Sequence, residues 1–321
     1  MSSPINAIVT GTFTSDGAMR AIPLPPGYTR FELINITDIG DAGATTQVMR
    51  AKGYSSLPAG SAYLNLKTNG AATLAIESMI TTAGFTFVSD SGSIALGAPV
   101  AITAITGANP AVASSASGAI VGDVVRIYGT TGQLQYAGMD FSVTAVNPGV
   151  TQTFGYLNSN GYAAATAGFM RIVPVDPRFY PRRRFITAIT QAASAVITMS
   201  VTHGYIVGEI VRIVVPTEFG MTQINGLLGT ITALTTGGTN TITVNINSTA
   251  FTAFAFPLSA VAAGGITFAQ VVPVGEAASG TYANLLDDAT VNQSFNGVVL
   301  GTGVQTTAKL YQWIAEKGLS I

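Results

Sequence analysis

The chain has 321 residues, of which 48% are apolar and 9% are charged, and its formal net charge is −1. Charged residues usually make up about a quarter of a soluble domain. So few charges predict that much of the surface faces other protein rather than water; the alternative is a rigid extracellular β protein coated with Thr and Ser. Because the sequence has no cysteine, disulfide scaffolds, Cys-based zinc sites and thiol catalysis are excluded.

Residues 1–97 contain short runs of alternating apolar and polar residues, separated by Gly and Pro. Such runs predict an antiparallel β-sandwich or barrel. In Ala62–Lys67, for example, Tyr63, Asn65 and Lys67 alternate with Ala62, Leu64 and Leu66. We expect Phe31, Leu33 and Ile36 to be buried, while Ala71–Met79 is compatible with a short helix or with a strand. The predicted strands are Ala7–Phe13, Met19–Leu24, Phe31–Thr37, Val48–Lys52, Ala62–Lys67 and Phe85–Val88.

The middle of the chain repeats itself. The sequence VGDVVRI at Val121–Ile127 recurs as VGEIVRI at Val207–Ile213, and both copies end on Val-Pro-Val. Each copy is predicted to hold about five or six short strands, as small barrels do. We therefore expect two tandem small β-barrels, at residues 98–175 and 185–275.

Two charged positions are kept in both copies: Asp123 matches Glu209, and Arg126 matches Arg212. Residues three apart point to opposite faces of a regular strand, although a bulge can bring them together. We expect the acid to lie at the barrel rim and the arginine to point toward a neighbouring module. The alternative is a role in ligand binding.

The linker at residues 176–184, DPRFYPRRR, holds the only basic run of the sequence. Its prolines predict a stiff, extended segment. Its arginines predict a contact with an acidic partner surface or with nucleic acid, or a bridge between the two barrels through carbonyls and carboxylates. Because the net charge is −1, we expect protein contacts here and no nucleic acid. The candidate interface residues are Arg178, Arg182, Arg183 and Arg184.

The second repeat carries an inserted loop, Thr249–Gly265, that is rich in aromatic residues. Such an apolar cluster is typical of a docking element for a neighbouring subunit. It is equally compatible with a cover over the open end of its own barrel. The candidate interface residues of this loop are Phe251, Phe254, Phe256 and Leu258.

The C-terminal segment, 276–321, is too short to form a domain by itself. One or two helical turns are predicted at Tyr282–Ala289, and strands at Phe295–Leu300 and Lys309–Ala315. The second strand holds the single tryptophan, Trp313, which indicates substantial burial. We expect these strands to return and complete the N-terminal β domain of residues 1–97.

The sequence shows no catalytic constellation. His203 is the single histidine, no G-x-S-x-G elbow or Walker A motif is present, and the histidine and cysteine counts exclude metal sites built from those residues. For His203 we expect a turn-capping or polar surface role, because the first repeat has no histidine at the matching position. We expect neither an enzyme nor a bound cofactor.

The first residues, MSSPINAIVTGTF, lack the basic region and apolar run of a secretion signal. No apolar window of about 18 residues is free of Gly, Thr, Ser or charge, so we expect no membrane-spanning segment. These patterns predict a protein that is made in a cytoplasm and stays soluble until it meets its partners.

A family resemblance is carried by the second repeat, at HGYIVGEIVRIV followed by GMTQING. This stretch resembles the small β-barrel of the first catalytic-cysteine half-domain of ubiquitin-activating enzymes, a name attached by similarity to many virion proteins of tailed phages. The first repeat departs from it, since it lacks the histidine and the Gly-Met turn. The resemblance implies a structural role, and it does not imply ubiquitin chemistry because the chain has no cysteine.

Together these patterns predict an all-β chain with an N-terminal antiparallel domain and two tandem small barrels. The resemblance implies a structural component of a bacteriophage virion, assembled in the bacterial cytoplasm, as a capsid decoration or auxiliary protein or a collar or tail component. Its partners would be major capsid, tail or portal proteins and further copies of itself. The alternative is a module displayed on the particle that binds host glycans, which exposed Tyr or Phe residues grouped on one face would favour.

Overall fold

Short β-branched and aromatic runs between glycine turns give a fold built almost entirely from strands. The computed structural model describes residues 8–39, 47–67, 75–89, 92–133, 135, 137–155, 157–178, 183–234, 240–257, 268–276, 290–293 and 295–318. Within these ranges the chain contains β-strands and single 3-10 turns, and none of its helices is long and apolar enough to cross a membrane. The predicted all-β class is confirmed.

The strands of the N-terminal part and of the first repeat are β1 (Ile8–Thr14), β2 (Arg20–Pro23), β3 (Tyr28–Asn35), β4 (Gln47–Tyr54), β5 (Ser61–Lys67), β6 (Ala75–Val88), β7 (Gly92–Ala95), β8 (Val100–Ile105), β9 (Ala111–Ser115), β10 (Val124–Tyr128), β11 (Asp140–Asn147), β12 (Thr151–Phe154) and β13 (Gly168–Val173). Those of the second repeat and the C-terminal segment are β14 (Ile186–Ile189), β15 (Val196–Met199), β16 (Ile210–Val214), β17 (Leu228–Leu234), β18 (Thr241–Val244), β19 (Gln270–Pro273), β20 (Thr290–Gln293), β21 (Gly297–Leu300) and β22 (Leu310–Lys317). The described part of the predicted helix-or-strand segment, residues 75–79, is strand.

The N-terminal domain is a curled sheet of eight strands in the order β1-β22-β3-β4-β5-β6-β21-β2. Strand β22 lies between β1 and β3, so the predicted return of the C-terminal strands is confirmed. Trp313 is fully buried there and stacks on Phe31 with ring centroids 5.9 Å apart. The prediction that Ile36 is buried is wrong: β3 ends at Asn35, the alternation stops, and Ile36 is exposed.

The two repeats fold alike. The first is a closed barrel in the order β10-β11-β12-β9-β8-β13, and the second is a curled sheet with the matching order β16-β17-β18-β15-β14 and β19 beside β16. The outer strands of the second sheet meet at a bridge between Phe185 and Gln270, where the amide of Ile186 donates to the carbonyl of Ala269 at 2.7 Å. The predicted tandem barrels are therefore present.

The modules contact one another directly. Buried side chains of both barrels form one continuous apolar cluster. Between the barrels, the amide of Ser142 in β11 donates to the carbonyl of Ser200 at 3.1 Å, and the hydroxyl of Ser200 donates to the carbonyl of Asp140 at 2.6 Å. The second barrel also contacts the N-terminal sheet, where the amide of Thr12 in β1 donates to the carbonyl of Val207 at 3.0 Å.

Candidate functional site

The repeated motif forms the same turn in both barrels. The carboxylate of Asp123 accepts a hydrogen bond from the amide of Ile120 at 2.9 Å, and that of Glu209 accepts one from the amide of Ile206 at 3.3 Å. The glycine before each acid has a positive φ, a conformation that glycine adopts at little cost. The repeated acid is therefore a cap for its own turn, which explains why both copies keep it.

The two repeated arginines do not share a role, contrary to the prediction. Arg126 is fully buried and donates two parallel hydrogen bonds to Asp140, from Nε to Oδ1 at 2.7 Å and from Nη2 to Oδ2 at 3.0 Å. Arg212 occupies the matching place in the second barrel, but its neighbour across the strands is Leu228 and its side chain is exposed. Asp140 compensates the buried charge of Arg126, whereas the exposed Arg212 is solvated by water.

A polar cluster fills the junction between the linker, the second barrel and the C-terminal segment. Arg184 donates from Nη1 to Glu276 Oε2 at 2.9 Å and from Nε to the carbonyl of His203 at 3.2 Å. Its guanidinium also lies over the ring of Tyr205, 4.7 Å from the centroid. Arg20 of β2 reaches the same place and donates to the carbonyl of Gly204 at 3.1 Å. The cluster thus joins three modules through charge-assisted bonds.

Burial shifts the proton affinity of the groups in this cluster. It raises the pKa of Glu209 to about 8, so that its carboxyl is largely protonated at neutral pH, and it raises the pKa of Tyr205 above its ordinary value. It lowers the pKa of His203 to about 4, which keeps the imidazole neutral. In each case the charged form is disfavoured because water has been removed.

The ring of His203 is held by hydrogen bonds at both nitrogens. Its Nδ1 accepts a hydrogen bond from the amide of Tyr205 at 2.8 Å, so Nε2 carries the proton and donates to the carbonyl of Thr241 at 3.2 Å. Both ring nitrogens are therefore occupied. The predicted turn-capping role is confirmed, while the alternative of a surface position is wrong because the side chain is 3% exposed.

The cluster borders a cleft of about 410 Å³ between β2, the linker and the turn at residues 202–204. Arg20, Arg184, His203 and Glu276 line it, and each makes a hydrogen bond within the protein. Within the described ranges, no group of three or more His, Cys, Asp or Glu side chains is placed to hold a metal ion. These hydrogen bonds hold the N-terminal sheet, the linker and the second barrel together.

The linker arginines fall into separate environments. Arg183 is buried and donates from Nη1 to the carbonyl of Gly138 in the first barrel at 3.0 Å. With Arg184 it bridges the modules, which leaves these two side chains little surface for another subunit. Arg178 is exposed and pairs with Asp176 at 3.2 Å, and Arg182 lies outside the described residues.

The expected stiff, extended linker is not what the described part shows. Pro177 and Arg178 form a turn, and the amide of Arg178 donates to Asp176 Oδ1 at 2.8 Å. An Asp two residues ahead of the donor satisfies the backbone locally, and this Asx turn outweighs the preference of proline for extended chain.

The aromatic loop of the second repeat packs against its own barrel. Phe219 stacks on Phe254 with centroids 5.8 Å apart and meets Phe256 edge-on at 5.3 Å. The amide of Ala255 donates to the carbonyl of Phe219 at 2.9 Å. Phe251 also packs on this core, whereas Leu258 lies outside the described residues. The contacts favour the interpretation of a barrel cover.

Sequence reasoning missed one further surface, a groove of about 550 Å³ on the N-terminal sheet. Tyr54 and Tyr63 stand in it with their rings edge-to-face, 6.2 Å apart, and both are partly exposed. Arg50, Lys52 and Glu77 also line it. The alternation of β5 placed Tyr63 outside, but nothing in the sequence showed that β4 would set Tyr54 beside it.

The sequence analysis also did not predict the contacts of Glu276 and Arg20 in the junction cluster, because a local sequence pattern does not identify a partner that lies far away in the chain. Comparison with known proteins found no matching family model and no matching curated protein. Functional inference for this chain therefore depends on its own sequence and geometry.

Proposed function

We propose that the chain is a non-enzymatic structural subunit of a bacteriophage virion, either a capsid decoration or auxiliary protein or a collar or tail component. It acts by burying its surface against major capsid, tail or portal proteins and against further copies of itself. The resemblance of the second repeat to the small barrels of virion proteins supports this role. No nucleic acid, membrane or cofactor is part of the proposal.

The observation that carries the proposal is the combination of few charges with large apolar side chains exposed on every module. The exposed side chains are Met79 on the N-terminal sheet, the adjacent Ile120 and Val121 on the first barrel, and the adjacent Leu227 and Leu228 on the second barrel. Exposed apolar clusters on a soluble protein are typical of interaction sites. With only 9% charged residues, little of the surface opposes association.

The experiment that tests the proposal is immunogold labelling of purified phage particles with an antibody raised against this chain. Label over the whole head would assign the chain to the capsid, and label at one vertex would assign it to the collar or tail. Purified particles that carry no label, also after partial disruption, and that contain none of the chain by mass spectrometry would refute the proposal.

A second candidate function is favoured by the tyrosine groove. Sugar rings stack on exposed aromatic side chains, and Tyr54 and Tyr63 present such faces beside the polar side chain of Asn65. Arg50 there is already paired with Glu32 at 2.8 Å, so Lys52 is the cation that an acidic host glycan would engage. Calorimetric titration with a uronic-acid oligosaccharide tests it, and saturable binding that Tyr63→Ala abolishes would support it. Equal heats for both proteins would reject it.

A further inference from the structure

The turn before the central strand has the same geometry in both barrels. In each, the acid caps the amide three residues earlier, and the glycine has nearly the same φ, 97° at Gly122 and 93° at Gly208. The amides of both glycines donate at 2.9 Å to a strand carbonyl, that of Val143 in the first barrel and that of Ile231 in the second. The first turn therefore has the same backbone conformation as the second turn, which contacts the N-terminal sheet.

The second turn is docked on the edge strand β1 of the N-terminal sheet. Ile206 is 3% exposed and belongs to the core of the N-terminal domain rather than to that of its own barrel. The carbonyl of Val207 accepts the amide of Thr12 at 3.0 Å. Gly208 lies against β1 so closely that a Cβ added there would stand 2.3 Å from the carbonyl oxygen of Thr10.

The first turn presents the same atoms to solvent. Ile120, the counterpart of Ile206, is 64% exposed, and Val121, the counterpart of Val207, is 58% exposed. Within the described part of the chain, no residue donates a hydrogen bond to the carbonyl of Val121. Ile120 is exposed whereas the equivalent Ile206 is buried against another module, which indicates that the first turn is also an interaction surface.

We propose that the turn at residues 119–122 is a docking site for the edge strand of a β-sheet that belongs to another protein subunit. The strand donates a backbone amide to the carbonyl of Val121 and covers Ile120 with the apolar face of its sheet. The occupant is inferred from the second barrel, where an edge strand fills this role. The proposal does not depend on the virion role.

The second barrel also indicates what the strand must look like. A Cβ added at Gly11 of β1 would lie 2.2 Å from the carbonyl oxygen of Val207, so the strand needs glycine at the point of contact. The carboxylate of Asp123 is engaged by the amide of Ile120, and the exposed part of the turn combines the apolar side chains of Ile120 and Val121 with the carbonyl of Val121. Such a surface suits strand addition, in which backbone bonds give affinity and side chains give selectivity.

A labelled peptide with the sequence of Ile8–Ser15, IVTGTFTS, serves as the probe because it reproduces the one strand known to fit this kind of turn. Its binding to the full chain is measured by fluorescence anisotropy. Ile120→Asp removes the apolar anchor at an exposed position, and Val150→Asp is the matched control on another exposed turn of the same barrel. A second peptide carries Gly11→Val. Thermal melting verifies that both variants fold.

We expect saturable binding to the wild type and to Val150→Asp. Burying one isoleucine contributes roughly 1.5–3 kcal/mol, so Ile120→Asp should weaken binding at least about tenfold. The Gly11→Val peptide should show no saturable binding. The proposal is overturned if the wild type does not bind the first peptide, if Ile120→Asp binds it as tightly, or if both peptides bind equally.

Discussion

Replacing Glu209 by glutamine should change how the stability of the protein depends on pH. Glu209 is 3% exposed, and burial raises its pKa from 4.5 to about 8. A glutamine side chain at this position would still offer an oxygen to the amide of Ile206, as Glu209 does at 3.3 Å. The substitution therefore removes the titration and keeps the turn cap.

The direction follows from the raised pKa. Below about pH 4.5 the carboxyl is protonated in both the folded and the unfolded chain, and its contribution to stability is complete. As the pH rises toward 8, the unfolded chain releases the proton while the folded chain retains it, so the free energy of unfolding falls. The slope is about 1.4 kcal/mol per pH unit, which gives at most roughly 5 kcal/mol over the window.

The neighbouring groups do not obscure the comparison. Burial lowers the pKa of His203 to about 4, so its contribution is lost as the pH falls from 6.5 toward 4, in the wild type and the variant alike. Glu209 also helps to raise the pKa of Arg184 and of Tyr205, but both groups titrate above this pH window in the folded protein, with or without Glu209. The difference between the two proteins therefore isolates Glu209.

Urea unfolding between about pH 5 and about pH 9 measures this difference. The fluorescence of Trp313 is a suitable signal because its ring lies beneath Gly11, where the turn of Glu209 meets β1. We expect Glu209→Gln to gain stability relative to the wild type as the pH rises, and the exposed Glu218→Gln control to follow the wild type. Parallel curves for Glu209→Gln and the wild type would refute the reasoning.

Three further predictions concern packing. Gly208→Ala should unfold at lower urea concentration than Gly122→Ala, although both alanines require a positive φ. The Cβ at position 208 would lie 2.3 Å from the carbonyl oxygen of Thr10 in β1, whereas none of the described residues lies within 4 Å of a Cβ at position 122. Equal losses of stability in the two variants would contradict this prediction. Asp140→Ala should cost about 3–5 kcal/mol in urea unfolding, since it leaves the guanidinium of Arg126 buried without its partner, and Arg126→Met combined with Asp140→Leu should recover most of the loss; a loss below about 1 kcal/mol would argue against the pair. Phe254→Ser should lower the melting temperature of the protein, as expected of a barrel cover stacked on Phe219, and an unchanged melting temperature would favour a docking role.

The sequence predicted those parts of the fold that local patterns determine. Alternation in Ala62–Lys67 correctly placed Ala62 and Leu64 inside and Tyr63 outside, because a strand covered on one face must alternate. The repeat predicted two small barrels, which the structure shows with matching strand orders, and the single tryptophan predicted burial of the C-terminal strand. The prediction that Ile36 is buried was wrong because the spacing of apolar residues does not show that the strand ends one residue earlier, at Asn35.

Contacts between distant parts of the chain could not be predicted in this way. Arg126 and Arg212 occupy equal places in equal motifs, yet one faces Asp140 and the other Leu228 across the neighbouring strand. Arg184 and Glu276 are 92 residues apart in the chain and meet because they flank the bridge between Phe185 and Gln270, where the outer strands of the second barrel come together. Ile120 is likewise exposed because β1 packs against the turn of the second barrel and not against that of the first. Local sequence patterns do not predict how whole modules pack together.

The most direct test of the central claim, that the apolar surfaces of this chain are made to be covered by other subunits, is sedimentation velocity of the purified full chain over a wide range of concentration. The account predicts a sedimentation coefficient that rises with concentration as copies associate, and a weaker rise for Ile120→Asp. A single monomer species at every concentration, identical in the wild type and the variant, would contradict it.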